Sequence, residues 1–243
     1  MTGRYEGKVA LVTGAASGVG RATAERLTAE GAQVASLDIA SLDVVAEHGI
    51  ALRCDVRDEA GVRAAVARVI DWAGRLDLVT NVAGVASFAH TTDVTLTEWD
   101  RLLSINLTGT FLVAREALPH LVASRGAIVN VASLAGLRGW RYGAAYAASK
   151  GGVVALSRSL AVEYAPHGVR VTCVCPGSID TALVAGLAPV PDFDPRLAAH
   201  GRALVDPPVS QPAEIAAAIA YLGSDEARFA TGAVLRIDGA AGA

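Results

Sequence analysis

Short runs rich in Val, Ile, Leu and Ala recur along the chain, and longer stretches with helical spacing lie between them. The runs at Val9–Thr13, Gln33–Leu37, Leu52–Cys54, Leu76–Thr80, Ala127–Val131, Val169–Cys175 and Gly232–Ile237 predict seven strands. Most are continuously apolar rather than alternating, which is expected of strands buried on both faces of a parallel sheet. A helical pattern runs from the glycines after Thr13 to about Glu30. Another, Asp58–Trp72, puts Val62, Val66, Val69 and Ile70 on one face, and two long stretches cover Glu98–Leu118 and Ala144–Tyr164. Strands that alternate with helices predict one α/β domain over residues 1–243. It is doubly wound (Rossmann), with a seven-stranded parallel sheet and helices on both faces.

One segment departs from this order. Six of the nine prolines fall between Pro189 and Pro212. Only about thirty residues follow, too few for a second domain, so the segment at about 182–210 is expected to be a substrate-binding loop or lid.

Composition narrows the function classes. By the usual surface scaling, 243 residues can bury about 70% of the unfolded surface, so neither disulfides nor metals are needed for a core. Hydrophobic residues at 52% against 19% charged exclude a disordered chain. Aromatics are only 5% and alanines number 49, so packing must rely on small side chains at close approach. A net charge of -3 gives no reason to expect nucleic acid or an anionic membrane as partner. Cys54, Cys173 and Cys175 contain no CxxC and form no disulfide framework, and Cys173 and Cys175 are expected to point the same way from one strand. The longest apolar run, Ile215–Leu222, is far short of a membrane span, and Val9–Val12 is too short for a signal peptide. A cytoplasmic location is therefore expected.

Thr13-Gly14-Ala15-Ala16-Ser17-Gly18-Val19-Gly20 ends the first strand and opens the first helix. Glycines there allow a tight turn and close backbone approach to a pyrophosphate, while the helix N-terminus offers N–H groups and partial positive charge. The spacing alone is weak, and its strand-to-helix context strengthens it. Asp38 ends the second strand, eighteen residues after Gly20. An acid there accepts hydrogen bonds from ribose hydroxyls and repels a 2′-phosphate, which favours NAD over NADP. Asp38 could instead cap the following turn, as could Ser41 or Asp43.

Tyr146 and Lys150 stand one helical turn apart on one face. Five tyrosines and two lysines would give about 0.04 such pairs by chance, so this signal is the sharper one. An ammonium beside a phenol is expected to lower the phenol's pKa and make Tyr146 a general acid/base for an alcohol and its ketone. In a chain that otherwise uses Arg, a retained Lys fits a group that must pass a proton. Ser133 ends the fifth strand, where a hydroxyl could polarise a reacting oxygen or merely cap a helix. Asn106 lies inside a helical stretch, which suggests a kink or a water-binding role.

Together these residues resemble the short-chain dehydrogenase/reductase family in its compact one-domain branch. The resemblance runs from Lys8 to Gly239 and rests on Thr13–Gly20, Asp55, Asn81-Val82-Ala83-Gly84, Asn106, Ser133, Tyr146/Lys150 and Pro176-Gly177. It implies a catalytic set of Asn106, Ser133, Tyr146 and Lys150, with Asn106 holding a relay water and Lys150 binding the nicotinamide ribose. It further implies cofactor contacts from Gly14, Ser17, Gly18, Val19, Gly20 and Asp38. Asp55 and Val56 would hold the adenine, and Asn81, Ala83 and Gly84 the middle of the cofactor. Pro176, Gly177, Ile179 and Thr181 would line the nicotinamide. The expected activity is NAD-dependent interconversion of a secondary alcohol and a ketone by a homo-oligomer, a tetramer or dimer.

The substrate pocket is expected between Val85–Phe88, Ala135–Tyr142, Ser178 and the proline-rich segment, with Arg138 or Arg141 as possible grips for an anion. Three other readings are weaker. A non-catalytic NAD(H) sensor on the same fold would have no use for the Ser/Tyr/Lys set. A nucleotide-sugar epimerase or dehydratase would add a C-terminal domain, and a methyltransferase would leave Tyr146/Lys150 unexplained. An NADP-preferring carbonyl or 3-oxoacyl reductase is the nearest alternative.

Overall fold

A computed structural model describes residues 3–42 and 49–243. Seven strands are β1 (Val9–Thr13), β2 (Gln33–Asp38), β3 (Ile50–Arg53), β4 (Leu78–Asn81), β5 (Ala127–Val131), β6 (Arg170–Pro176) and β7 (Val234–Ile237). They form one wholly parallel sheet in the order β3-β2-β1-β4-β5-β6-β7. The helices are α1 (Gly18–Ala29), α2 (Glu59–Ala73), α3 (Leu96–Leu103), α4 (Gly109–Ser124), α5 (Ala144–Tyr164), α6 (Ala182–Ala185) and α7 (Pro212–Gly223). The doubly wound α/β expectation holds. Where strand ends differ from it they do so by one or two residues, because ladder register and not hydrophobicity sets them. Leu76 is fully buried, for example, yet precedes the β4 ladder.

Each strand sends successive side chains to opposite faces, and both faces are covered. Leu11, Leu37, Val79, Ile128 and Val171 pack with Val62 and Val66 of α2, Val113 and Leu121 of α4 and Leu160 of α5. On the other face Ala10, Val12, Val34, Leu78, Val129 and Val174 pack with Val19 and Leu27 of α1 and Ile215 and Ile219 of α7. Each fully buried Leu or Ile contributes on the order of 2 kcal/mol by leaving water. This two-sided burial is why the strands read as unbroken apolar runs.

Two helical features depart from the sequence reading. The stretch expected as one helix over 98–118 is α3 and α4, joined by a π turn at Ser104–Thr108 with Asn106 at its centre. An extra residue inserted in a helix swells one turn, so the local feature at Asn106 is a π turn between α3 and α4. Helix α7 was not expected as an element. Its sequence is so uniformly apolar that no amphipathic period stands out, although Gln211, Pro212 and Glu214 form a capping box at its start. Asp43, weighed as a cap of the turn after β2, lies outside the described residues.

Neighbouring β1 and β4 leave in opposite directions along the sheet, β1 toward β2 and β4 toward β5. The carboxyl ends of the strands therefore diverge around a crevice, the general ligand position in such sheets. Among the described residues no helix is long and apolar enough to cross a membrane, and no group of three or more His, Cys, Asp or Glu could hold a metal. Cys54, Cys173 and Cys175 are buried free thiols, and Cys173 and Cys175 share one apolar cluster beside β6.

Candidate active site

The crevice is built first by the turn after β1. Gly14 has φ +70°, and a Cβ there would lie 2.9 Å from the backbone of Ala83, so this turn and the turn after β4 touch main chain to main chain. Thr13 Oγ1 ties the two together, accepting from Val82 N at 3.0 Å and Ala83 N at 3.1 Å. A Cβ on Gly20 would sit 2.0 Å from the Gly14 carbonyl oxygen. Gly20→Ala is therefore expected to lower Tm by roughly 5–10 °C, a cost of about 2–3 kcal/mol, readable by thermal unfolding without any ligand. An unchanged Tm would show that the turn re-forms around the methyl group.

Ser17 precedes α1 with extended backbone and makes no side-chain cap bond, and the first turn of α1 carries no acid. The N–H groups and partial positive charge of that terminus thus open on the crevice with nothing to neutralise them. Asp38 meets this turn from β2: its Oδ2 accepts from Ala16 N at 3.0 Å and its Oδ1 from Ala40 N at 2.9 Å. Its capping of the turn and its position on the crevice wall coexist. Asp55 also lines the wall, with both carboxylate oxygens held by the Arg57 guanidinium, which keeps its pKa below the usual carboxylate range.

The catalytic candidates come from three elements. Lys150 on α5 is 5% exposed and donates from Nζ to the Val131 carbonyl at the end of β5 at 2.9 Å. Burial pushes its pKa down to about 8. Tyr146, one turn earlier, is part-buried, with its ring edge-on to Phe88 at 5.7 Å. Burial raises its pKa, and a hydrogen bond with Ser133 partly offsets this. The expected lowering of the phenol's pKa by Lys150 is outweighed in the protein alone: desolvation by burial is the largest influence on the tyrosine, and one of the three Lys150 N–H groups goes to the Val131 carbonyl. Ser133 does cap the 3-10 turn Leu134–Gly136, accepting from Ala135 N at 3.1 Å. That contact occupies an acceptor lone pair and leaves the hydroxyl proton to donate.

Asn106 is fully buried and its side chain does not reach the crevice wall. Its Oδ1 accepts from Val85 N at 2.8 Å, and its Nδ2 donates to Val85 O and to Ser149 Oγ, each at 2.9 Å. Ser149 in turn donates to the Tyr146 carbonyl at 2.8 Å. Both amide protons are used, so the expected grip on a relay water cannot come from them. The side chain instead links the turn after β4 to the turn of α5 that carries Tyr146. Asn81 likewise departs from expectation. It is buried inside the sheet, donating to Asn130 Oδ1 at 2.9 Å, and does not line the crevice.

The other expected cofactor residues do line one continuous cavity: Gly14, Ser17, Gly18, Val19, Gly20 and Asp38 at one end, then Asp55, Val56, Ala83 and Gly84. Ser133, Tyr146, Lys150, Pro176, Gly177, Ile179 and Thr181 line its other end. Sequence reasoning missed Leu37, Ile39 and Cys54, which border the strand ends, and Ile105 within the π turn. Register gave no signal for these, since their side chains are ordinary hydrophobes.

A second, mainly apolar cavity opens from the first, and Ser133, Tyr146, Pro176, Gly177, Leu183 and Val184 border both. Ala86, Phe88, Trp140, Tyr142 and Ser178 line it as expected, together with Leu187, Val190 and Phe193 from the proline-rich segment. The later part of that segment lies elsewhere: Ala203, Val205, Pro207 and Pro208 border a separate recess near Gly239. The Leu204 N–H is held there by the Gly239 carbonyl at 2.8 Å.

Comparison with known proteins agrees with this geometry. Residues 14–241 match the family model described as enoyl-(acyl carrier protein) reductase. The chain is 41% identical over 249 residues to an L-fucose dehydrogenase of Oryctolagus cuniculus, covering 98% of this chain and 86% of that protein. It is also 41% identical to a cis-4-hydroxycyclohexanecarboxylate dehydrogenase of Sinomonas cyclohexanicum, covering 96% of this chain and 95% of that one. Among solved structures, a short chain dehydrogenase of Mycobacterium paratuberculosis bound to NAD superposes with a TM-score of 0.91 at 30% identity, covering 99% of both chains.

Proposed function

The chain belongs to the short-chain dehydrogenase/reductase family, an oxidoreductase family acting on alcohols and ketones, and from that premise we propose that it interconverts a secondary alcohol and a ketone with NAD, using Tyr146 as general acid/base. The observation that carries this reading is the junction of the two cavities, where Ser133 and Tyr146 face both. A proton donor standing there can reach a substrate oxygen in the apolar pocket while the nucleotide lies in the crevice.

Several features fit a dinucleotide. The uncapped N-terminus of α1 and the glycine turn suit a pyrophosphate, and Asp38 suits ribose hydroxyls. Asp55 and Val56 would border the adenine, Ala83 and Gly84 the middle, and Pro176, Gly177, Ile179 and Thr181 the nicotinamide. A solved relative of the same fold, the Mycobacterium paratuberculosis enzyme, is bound to NAD. Among the described residues Arg57 is the one basic residue of the crevice wall besides Lys150, and Asp55 occupies its guanidinium, which disfavours a 2′-phosphate. When bound, the nicotinamide supplies the hydride acceptor or donor.

The chain's own residues move and hold the proton. Ser133 donates to the substrate oxygen as its charge develops. Tyr146 takes the alcohol proton in oxidation and returns it in reduction. Lys150, with a pKa of about 8, exists in both protonation states just above neutrality, so it can pass a proton toward the phenol. Asn106 is a positioning residue, fixing Val85 and, through Ser149, the start of α5. Residues 182–210 act as a lid whose first half closes the substrate pocket. Exposed Leu96, Val162 and Phe229 leave apolar surface that supports self-association.

The reading is tested by absorbance of reduced nicotinamide with a panel of secondary alcohols and ketones. Absence of turnover across the panel, with NAD bound, would favour the sensor reading. Asp38→Ala is expected to shift the ratio of kcat/KM for NADP over NAD by on the order of tenfold toward NADP, about 1.4 kcal/mol of relieved repulsion. The ratio is the right measure because Asp38 also pins Ala16, so both absolute rates will fall. An unchanged ratio would remove Asp38 from cofactor selection.

A further inference from the structure

Arg138 and Arg141 share the loop between Ser133 and Tyr146, but they stand in different surroundings. Arg138 donates to the Ala241 carbonyl and, at 3.1 Å, to Nε2 of His200, and it does not line the apolar pocket. Arg141 does line it. Its guanidinium lies 5.7 Å from the Trp140 ring centre and 5.8 Å from that of Phe193, and one N–H goes to the His200 carbonyl. Among the described residues no carboxylate lies within 4.0 Å of it.

The surroundings do not neutralise this charge. An arginine can only donate, so His200 Nε2 accepts from Arg138 and the imidazole is neutral, its proton on Nδ1. Burial and the two guanidiniums hold it neutral. Among the described residues the rest of the pocket wall carries no charged side chain: it is mainly apolar, with Ala86, Phe88, Leu187 and Val190 among its residues, and its polar groups are the hydroxyls of Ser133, Tyr142, Tyr146 and Ser178. A half-buried guanidinium beside aromatic and aliphatic groups, with no carboxylate partner, is available to pair with a bound anion. The aromatic rings hold its plane, and four of its five N–H groups remain for a bidentate partner. The cavity, at about 350 Å³, is at the small end of ligand pockets.

We propose that the substrate is a secondary alcohol or ketone on a compact apolar ring or branched carbon body that also carries a carboxylate, and that Arg141 pairs with that carboxylate. The inference takes its reacting oxygen from the dehydrogenase reading above, but its anion site is separable from it. The test is calorimetric titration of the NAD-saturated protein with 4-oxocyclohexanecarboxylate, its methyl ester and 4-methylcyclohexanone. The acid is expected to bind the wild type about tenfold or more tightly than either neutral ketone. In Arg141→Gln that ratio is expected to fall to about one, with Arg141→Lys between, because a point charge replaces the fork. Turnover of the same ketones with NADH should place the acid's advantage in KM.

Equal binding of acid and ester by the wild type overturns the proposal, and this arm needs no variant to fold. A preference that survives in Arg141→Gln overturns it as well, since the anion would then sit elsewhere. A tenfold preference without any turnover sustains the carboxylate site and refutes the dehydrogenase reading instead.

Discussion

Tyr146→Phe is expected to lower turnover by about a thousandfold or more while leaving affinity for NADH nearly unchanged. The substitution deletes one oxygen. The ring keeps its edge contact with Phe88 and its packing at the cavity junction, so neither the fold nor the crevice should move. What is lost is the proton donor and acceptor. Ser133 cannot replace it, because a serine hydroxyl is too weak an acid to give up its proton in the same step. Turnover is read from reduced-nicotinamide absorbance and affinity from fluorescence titration of NADH. The pH dependence carries a sign as well. Burial raises the phenol's pKa in the protein alone, so the neutral form, which donates, prevails near neutrality. Alcohol oxidation needs the deprotonated form and should fall as pH falls. Wild-type turnover in Tyr146→Phe would refute the assigned mechanism.

Lys150→Met is expected to abolish activity to a similar degree yet to raise stability near neutral pH. Methionine has similar length and fills the same buried space without a charge. In the wild type the ammonium is buried with one carbonyl partner, and its pKa is about 8 against an ordinary 10.5. The shift corresponds to a folding penalty on the order of 3 kcal/mol while the group is protonated in both states. Below about pH 8 that penalty is constant. Between pH 8 and 10.5 the unfolded chain binds more protons than the folded one, so stability rises with pH and the penalty fades. The variant should therefore unfold at a higher denaturant concentration than wild type at pH 7, and the gap should narrow toward pH 10. A variant less stable than wild type at pH 7 would show that Val131 and Lys150 hold the end of β5 together by more than the burial cost.

The fold was legible because its physics is one-dimensional in the sequence. Strands buried on both faces appear as apolar runs, and the helices between them carry a visible period. Tyr146/Lys150 and the glycine turn were legible because their chemistry is local, set by one helical turn or one tight bend. What was not legible depends on partners distant in sequence. The π turn at Ser104–Thr108 follows from Asn106 bonding Val85, which no period reveals. Asn81 reads as a cofactor residue from its neighbours Ala83 and Gly84, but strand alternation turns it into the sheet toward Asn130. The direction of the Tyr146 shift is not legible because sequence proximity to Lys150 says nothing of how deeply the fold buries the phenol. Arg138 and Arg141 look equivalent three residues apart, and both reach His200; what separates them is that Arg138 is also tied to the Ala241 carbonyl while Arg141 lies against Trp140 and Phe193 in the pocket wall.

The packing of α1 against α7 has a consequence for how the chain comes into being. Helix α1 finds its partner only in residues 212–223, far later in the chain. Central β1 likewise waits for β4, and the crevice that begins at Gly14 is finished by Thr181. The nascent chain must hold its apolar strands in a partly assembled state until α7 has been made. Its hazard is therefore concentrated in the tens of seconds, at about 5–20 residues per second, between the synthesis of α1 and that of α7, and any stop before α7 leaves a sheet face exposed instead of yielding a smaller working protein.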